Sequence, residues 1–124
     1  MNKTRPVILV LDESRTFCRT LAKVLEEHGF TVAQAYSWEE AEDVIEKTGI
    51  DMVLLNLTVF KEEGLAMLSM IREQKPDLPV IILGTHNDHA LSFEGRRLGA
   101  VDYFTIPLNV EELIKVIGGT TDNN

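Results

Sequence analysis

Short runs of apolar residues recur along the chain and predict strands. Val7–Leu11 is a continuous run of Val, Ile and Leu, which is typical of a strand buried on both faces. Residues 52–55 and 80–83 repeat that pattern, and Thr31–Ala35 and Asp102–Thr105 are two further candidates. The apolar pattern therefore predicts five strands.

Segments with apolar residues at helical spacing lie between the predicted strands. Ser37 followed three residues later by Glu40 is a capping-box pattern that predicts the start of a helix. Residues 109–112 form a second such signature. Five helices are predicted: an amphipathic segment on Phe17, Leu21, Val24 and Leu25 that ends at Gly29, one from Ser37 to near Gly49, and three at 64–74, 89–98 and 109–117.

Strands that alternate with helices predict an α/β fold, a five-stranded parallel sheet doubly wound as (βα)5 with right-handed crossovers. We expect the domain to span residues 4–118, and the polar residues 119–124 to form a flexible tail or the start of a linker. Ligands of such sheets bind at the carboxyl ends of the strands. The residues at those ends are Asp12, Glu13, Asn56, Gly84, Thr85, Thr105, Ile106 and Pro107.

Composition and charge narrow the class of protein. The 124 residues are 44% hydrophobic and 26% charged, which fits one globular domain and argues against disorder. Twelve basic and twenty acidic residues give a net charge of −8, so we expect no direct nucleic-acid binding, which needs a basic face. No apolar run approaches the ~20 residues of a membrane span. Cys18 is the single cysteine; we expect it to be structural and the protein to be cytoplasmic.

The adjacent acids Asp12 and Glu13 follow the first predicted strand. Two carboxylates at a strand end suit Mg²⁺, which prefers one or two carboxylates plus waters. A solvated loop that caps the first helix uses the same residues, and the pair taken alone favours that simpler interpretation.

Three further features follow the acid pair along the chain. They are residues 54–57 in the third predicted strand, Gly64 eight residues after Asn56, and residues 99–103 before Pro107. Together with the acid pair they resemble the receiver domain of two-component response regulators. The resemblance covers residues 7–117 without a gap between these features, and it implies a flavodoxin-like receiver fold.

The resemblance implies that an aspartate accepts a phosphoryl group from a sensor kinase, with Mg²⁺ held by the acid pair. A hydroxyl and a lysine then contact the phosphoryl oxygens. Asp12 and Glu13 match the acid pair, but Asn56 occupies the phosphoacceptor position, Gly84 the hydroxyl position and Ile106 the lysine position.

These three departures remove the chemistry that the family uses. An amide is not a useful nucleophile at neutral pH, and an isoleucine cannot oppose the charge that develops on a transferred phosphoryl group. A single inactivating change would have left the lysine and the hydroxyl in place, so we expect a natural pseudo-receiver. We expect Mg²⁺ to bind weakly if at all, with no other cofactor.

Tyr103 matches the aromatic residue that the family rotates between exposed and buried positions. The absence of a side chain at Gly84 leaves room beside it, which predicts an inward rotamer that needs no phosphoryl group. The alternative is an ordinary tyrosine at a strand end, with its ring packed and its hydroxyl in water.

Taken together, the residues predict a module of two-component signal transduction that works without phosphorylation, is not an enzyme and acts by protein–protein contact. Its partner is expected to be a second copy in a homodimer, a sensor kinase or an output domain, and neither nucleic acid nor membrane. The expected surface comprises residues 89–98, Asp102–Thr105 and 109–117. Two alternatives stay open: a phosphoacceptor with an unrecognised acceptor residue, and a small-ligand binder of the flavodoxin type.

The sequence contains two weaker candidate sites. His86 and His89 lie three residues apart near Asp88 and suggest a metal pair, but they have no third ligand nearby in sequence, which favours an exposed loop. Arg96 and Arg97 could meet an acidic partner, but a solvated helix end is the simpler interpretation.

Overall fold

A five-stranded parallel sheet forms the centre of the protein in a computed structural model that describes residues 5–85 and 89–121. The strands are β1 (Val7–Leu11), β2 (Thr31–Ala35), β3 (Met52–Asn56), β4 (Val80–Gly84) and β5 (Asp102–Thr105), in the order β2–β1–β3–β4–β5. The helices are α1 (Arg15–Glu27), α2 (Trp38–Lys47), α3 (Leu57–Phe60), α4 (Glu62–Gln74), α5 (His89–Arg97) and α6 (Val110–Thr121). The predicted fold class is confirmed.

The two faces of the sheet carry separate apolar clusters, as expected for strands covered on both sides. In β1, Leu9 and Leu11 point to one face and Ile8 and Val10 to the other, all fully buried. Residues of α2, α3 and α4 pack on the first face, and residues of α1 and α6 pack on the second. Within the described ranges, no helix is long and apolar enough to cross a membrane.

Local signals place the helix starts as predicted. The Ser37 hydroxyl accepts the N–H of Glu40 at 3.2 Å, and the Asn109 side chain accepts the N–H of Glu112 at 3.1 Å. The Glu40 carboxylate accepts the N–H of Tyr36, one residue before the cap, at 2.8 Å. The Glu40 and Glu112 N–H groups belong to the first turns of their helices, which lack intrahelical partners, so the Ser37 and Asn109 side chains satisfy them.

Two helices differ from their predicted bounds. The segment expected from residue 64 begins at Glu62, and the single-turn α3 precedes it, with Lys61 between them at a φ of 51°. At the other end of the chain, α6 continues to Thr121, whose hydroxyl donates to the Ile117 carbonyl. Residues 119–121, expected to belong to a flexible tail or the start of a linker, are thus helical, and the domain bounds stay a prediction. Residue 4, the predicted start of the domain, and residues 122–124 lie outside the described residues.

The strand register decides which residues meet at the carboxyl end of the sheet. Leu11 of β1 lies opposite Leu55 of β3, so the residues that follow them, Asp12 and Asn56, are neighbours. Gly84, at the end of β4, lies opposite Thr105 of β5. The predicted site residues thus lie at the carboxyl ends of adjacent strands.

Candidate functional site

The centre of the site is a carboxylate–amide pair formed by Asp12 and Asn56. Asp12 is 1% exposed and Asn56 is 5% exposed. The Asn56 side-chain amide donates to Oδ2 of Asp12 at 2.5 Å, and the Ser14 N–H donates to Oδ1 at 2.8 Å. The Asn56 amide and the Ser14 N–H thus satisfy both side-chain oxygens of this buried residue.

Glu13 does not join that pair. Its side chain is exposed and lines a neighbouring groove beside Tyr36 and Trp38. The two acids that were expected to act together thus lie in different surroundings, one in the core and one at the surface.

Magnesium fits this arrangement poorly. Mg²⁺ requires oxygen ligands at a nearly octahedral site, but both Asp12 oxygens already accept hydrogen bonds, and Asn56 turns its N–H group toward Asp12. Across the described ranges, no group of three His, Cys, Asp or Glu residues is placed to hold a metal ion. Weak Mg²⁺ binding stays a prediction.

Tyr103 fills the space beside Gly84. Its hydroxyl donates to the Thr85 carbonyl at 2.6 Å, and its half-buried ring packs against the apolar cluster on the α2–α4 face. A Cβ added to Gly84 would lie 2.8 Å from the Tyr103 hydroxyl and 3.1 Å from ring atom Cε1. Tyr103 is therefore turned inward across the glycine. The acceptor of the Tyr103 hydroxyl is a backbone carbonyl, and the sequence therefore could not identify this hydrogen bond.

Ile106 contributes apolar surface and no charge to this edge. Its half-buried side chain packs against the cluster on the α1 and α6 face, while its N–H donates to the Gly84 carbonyl at 2.6 Å. That bond ties the end of β5 to the end of β4.

Cys18 lies directly behind Asp12. Its Sγ is 3.5 Å from the Asp12 carbonyl oxygen, and the residue is fully buried. Burial, followed by the negative charge of Asp12, raises the pKa of the Cys18 thiol to about 11. The thiol is protonated at neutral pH and unreactive, in agreement with the structural role expected for it.

The structure describes the weaker candidates only in part. His86 and Asp88 lie outside the described residues, and His89 is exposed at the start of α5. Arg96 pairs with Asp102 at 3.3 Å, and Arg97 pairs with Glu94. Both arginines are thus already engaged within the chain.

Comparison with known proteins matches this chain to response regulators. A family model described as the response regulator receiver domain matches residues 8–118. Transcriptional regulatory protein CpxR of Escherichia coli is 35% identical over 114 residues, 92% of this chain and 47% of that protein. Alginate biosynthesis transcriptional regulatory protein AlgB of Pseudomonas aeruginosa is 31% identical over 106 residues, 86% of this chain and 24% of that protein. The chain thus spans about a quarter to a half of these relatives.

A solved structure shows the same fold. The crystal structure of a response regulator from Thermotoga maritima superposes with a TM-score of 0.86 at 30% identity. The match covers 96% of this chain and 99% of that one.

Proposed function

The chain belongs to the response regulator receiver domain family, and we propose that it is a member that signals without being phosphorylated. The observation that carries the proposal is the 2.5 Å hydrogen bond from the Asn56 amide to Asp12. A phosphoryl acceptor at this position would need an anionic oxygen to attack phosphorus. An amide that donates to a buried carboxylate offers no such nucleophile.

Two neighbouring positions support the same proposal. We assign Gly84 and Ile106 to the positions at which the family has a hydroxyl and a lysine, and neither residue can bind a phosphoryl oxygen through its side chain. Tyr103, assigned as the switch aromatic, is turned inward across Gly84 and donates to the Thr85 carbonyl. In this proposal the protein keeps one conformation at this edge and does not alternate between two.

The proposed mode of action is protein contact through the face formed by α5, β5 and α6. Among the residues that the structure describes, Phe93 on α5 and Val101 before β5 are the large apolar side chains left exposed, at 70% and 49%. Exposed aromatic side chains are frequent anchors of protein interfaces. A second copy, a sensor kinase or an output domain are the partners proposed for this face.

Treatment with acetyl phosphate, and separately with beryllofluoride, each with Mg²⁺, tests phosphorylation independence. We expect no phosphoryl adduct in the intact mass and no amide NMR shifts around Asn56 and Gly84. A receiver domain that accepts phosphoryl groups, treated in parallel, shows that the reagents are active. An adduct on any residue would overturn the proposal, and its position would identify an unrecognised acceptor.

The contact surface has its own test. Phe93→Ser should abolish self-association in sedimentation equilibrium, or binding to a kinase or output domain if one is the partner. Phe93→Tyr should retain the interaction because the aromatic ring is kept. Unchanged association of the Phe93→Ser variant would remove this face from the proposal.

A further inference from the structure

A groove of about 350 Å³ lies between the start of α2 and the surface of α4, next to the Asp12–Asn56 pair but separate from it. Phe60 and Met67 lie buried in its lining. Tyr36, Trp38 and Met70 also line it and are half-buried. Six of the ten lining residues are thus apolar or aromatic, and two of these are methionines, whose flexible side chains adapt to the shape of a bound group.

The exposed residues of the groove, apart from Ala66, are acidic. Glu13, Glu39 and Glu63 line it with exposed side chains, and the lining includes no lysine or arginine. Within the described part of the chain, none of these three carboxylates has an ion-pair partner. The neighbouring Arg15 lies over the Tyr36 ring, 4.1 Å from its centroid. The groove therefore combines apolar walls with three unpaired negative charges.

We propose that this groove binds a basic amphipathic helix of a partner protein. Such a helix presents apolar side chains along one stripe and lysine or arginine beside it, one turn apart. Its apolar side chains would pack against Phe60, Met67 and Met70, and its cations would face the three glutamates. A cation that reaches the Trp38 ring gains a further attraction from the aromatic face. Charge complementarity favours this occupant over an acidic or neutral one.

The proposal depends neither on the phosphorylation state nor on the α5–β5–α6 face, because Asn56, Gly84 and Phe93 do not line the groove. Failure of one proposal therefore leaves the others to their own tests.

Trp38 is the single tryptophan of the chain, so its fluorescence reports on this groove. The probe is a helical peptide of about four turns with leucine once per turn and lysine and arginine beside it. We expect a saturable change in Trp38 emission that weakens as salt is added, with amide NMR shifts at the start of α2 and along α4. A peptide with glutamate at every basic position should give neither.

Charge-neutral variants locate the interaction. Glu39→Gln combined with Glu63→Gln should weaken binding about threefold to tenfold, since exposed charge pairs contribute modestly. Glu26→Gln combined with Glu27→Gln removes the same charge from exposed positions of α1 that do not line the groove, and it should change the affinity by less than about twofold.

Three results would overturn the proposal. One is equal weakening by the two double variants, which would indicate a general effect of net charge. Another is a set of amide shifts away from α2 and α4, or no shifts at all. The third is a Trp38 signal that changes with protein concentration in the absence of peptide, which would assign the groove to a second copy of this chain.

Discussion

The hydroxyl of Tyr103 occupies the volume that a side chain on Gly84 would need, because a Cβ there would lie 2.8 Å from it. The glycine and the inward tyrosine are therefore one structural feature. The same hydroxyl is bonded to the Thr85 carbonyl at 2.6 Å, which adds a hydrogen bond to the packing of the ring.

Gly84→Thr should force the Tyr103 ring outward, with loss of its hydrogen bond to Thr85 and of part of its burial. We expect the free energy of unfolding to fall by about 1–3 kcal/mol. In a Tyr103→Ala background the same substitution should cost clearly less, because the clash is gone. Urea unfolding of the parent, the two single variants and the double variant measures this coupling. Additive costs would show that the two positions are independent.

Asn56→Asp replaces the amide that donates to Asp12 by a second carboxylate, and we expect it to make stability depend on pH. Like charges in a buried site disfavour ionisation, so the pKa of the introduced carboxyl should rise above its unfolded value. The native state then binds more protons than the unfolded chain, and stability falls as pH rises through that range. A rise of one unit corresponds to a loss of about 1.4 kcal/mol, complete above the raised pKa.

Urea unfolding at about pH 4.5 and about pH 7.5 checks this sign for Asn56→Asp. Mg²⁺ should restore part of the lost stability by binding the folded variant, and adding Ile106→Lys should restore more, non-additively. Asn56→Ala, which removes the amide hydrogen bond without adding a charge, should show a smaller pH dependence of the same sign. Parent-like stability of Asn56→Asp at about pH 7.5 without metal would contradict the proposed buried carboxylate site.

Cys18 should make the stability of the protein sensitive to alkaline pH. Folding raises the pKa of its thiol from 9.0 to about 11. The larger cause is burial, and the smaller is the negative charge of Asp12. A raised pKa means that the folded state holds the proton longer, so stability is lost as pH climbs from about 9 to about 11. We expect the parent to lose up to about 2–3 kcal/mol more over this window than Cys18→Ala. Unfolding curves with identical pH slopes would refute this.

Lys61→Gly should stabilise the protein. Lys61 has φ 51° and ψ −124°, a backbone conformation that glycine adopts freely and that strains other residues by about 1–3 kcal/mol. We expect a gain of about 1 kcal/mol in the free energy of unfolding, measured in urea. Lys23→Gly, at an exposed position inside α1, is the matched control and should lose about 1 kcal/mol. A loss in both variants would show that Lys61 is not strained.

The fold was predictable because its signals are local and repeated. The β1 run Val7–Leu11 is apolar at every position, which a doubly covered strand requires, and Ser37 and Asn109 cap helices through side chains three residues from their partners. Alternation of such elements leaves few topologies. The contact between Asp12 and Asn56 then follows from the parallel register of β1 and β3.

Other features depend on contacts between distant segments and carry no local signal. In α1, the buried positions are Cys18, Leu21, Ala22 and Leu25, whereas the predicted Phe17 and Val24 are half-buried. Glu13 is exposed and lines a groove to which α2 and α4 contribute other residues. Neither spacing nor composition describes how those two helices approach each other.

The strand at the edge of the sheet limits how a partner can bind. β5 has four residues and pairs with β4 alone, and the backbone N–H of Tyr103 is already satisfied by the Asp102 carboxylate at 2.8 Å. That carboxylate also holds Arg96, so a charge pair borders the edge. Short, charged edges resist the addition of a foreign strand. We therefore expect a partner at the proposed α5–β5–α6 face to contact side chains and helix surfaces rather than to add a strand beside β5.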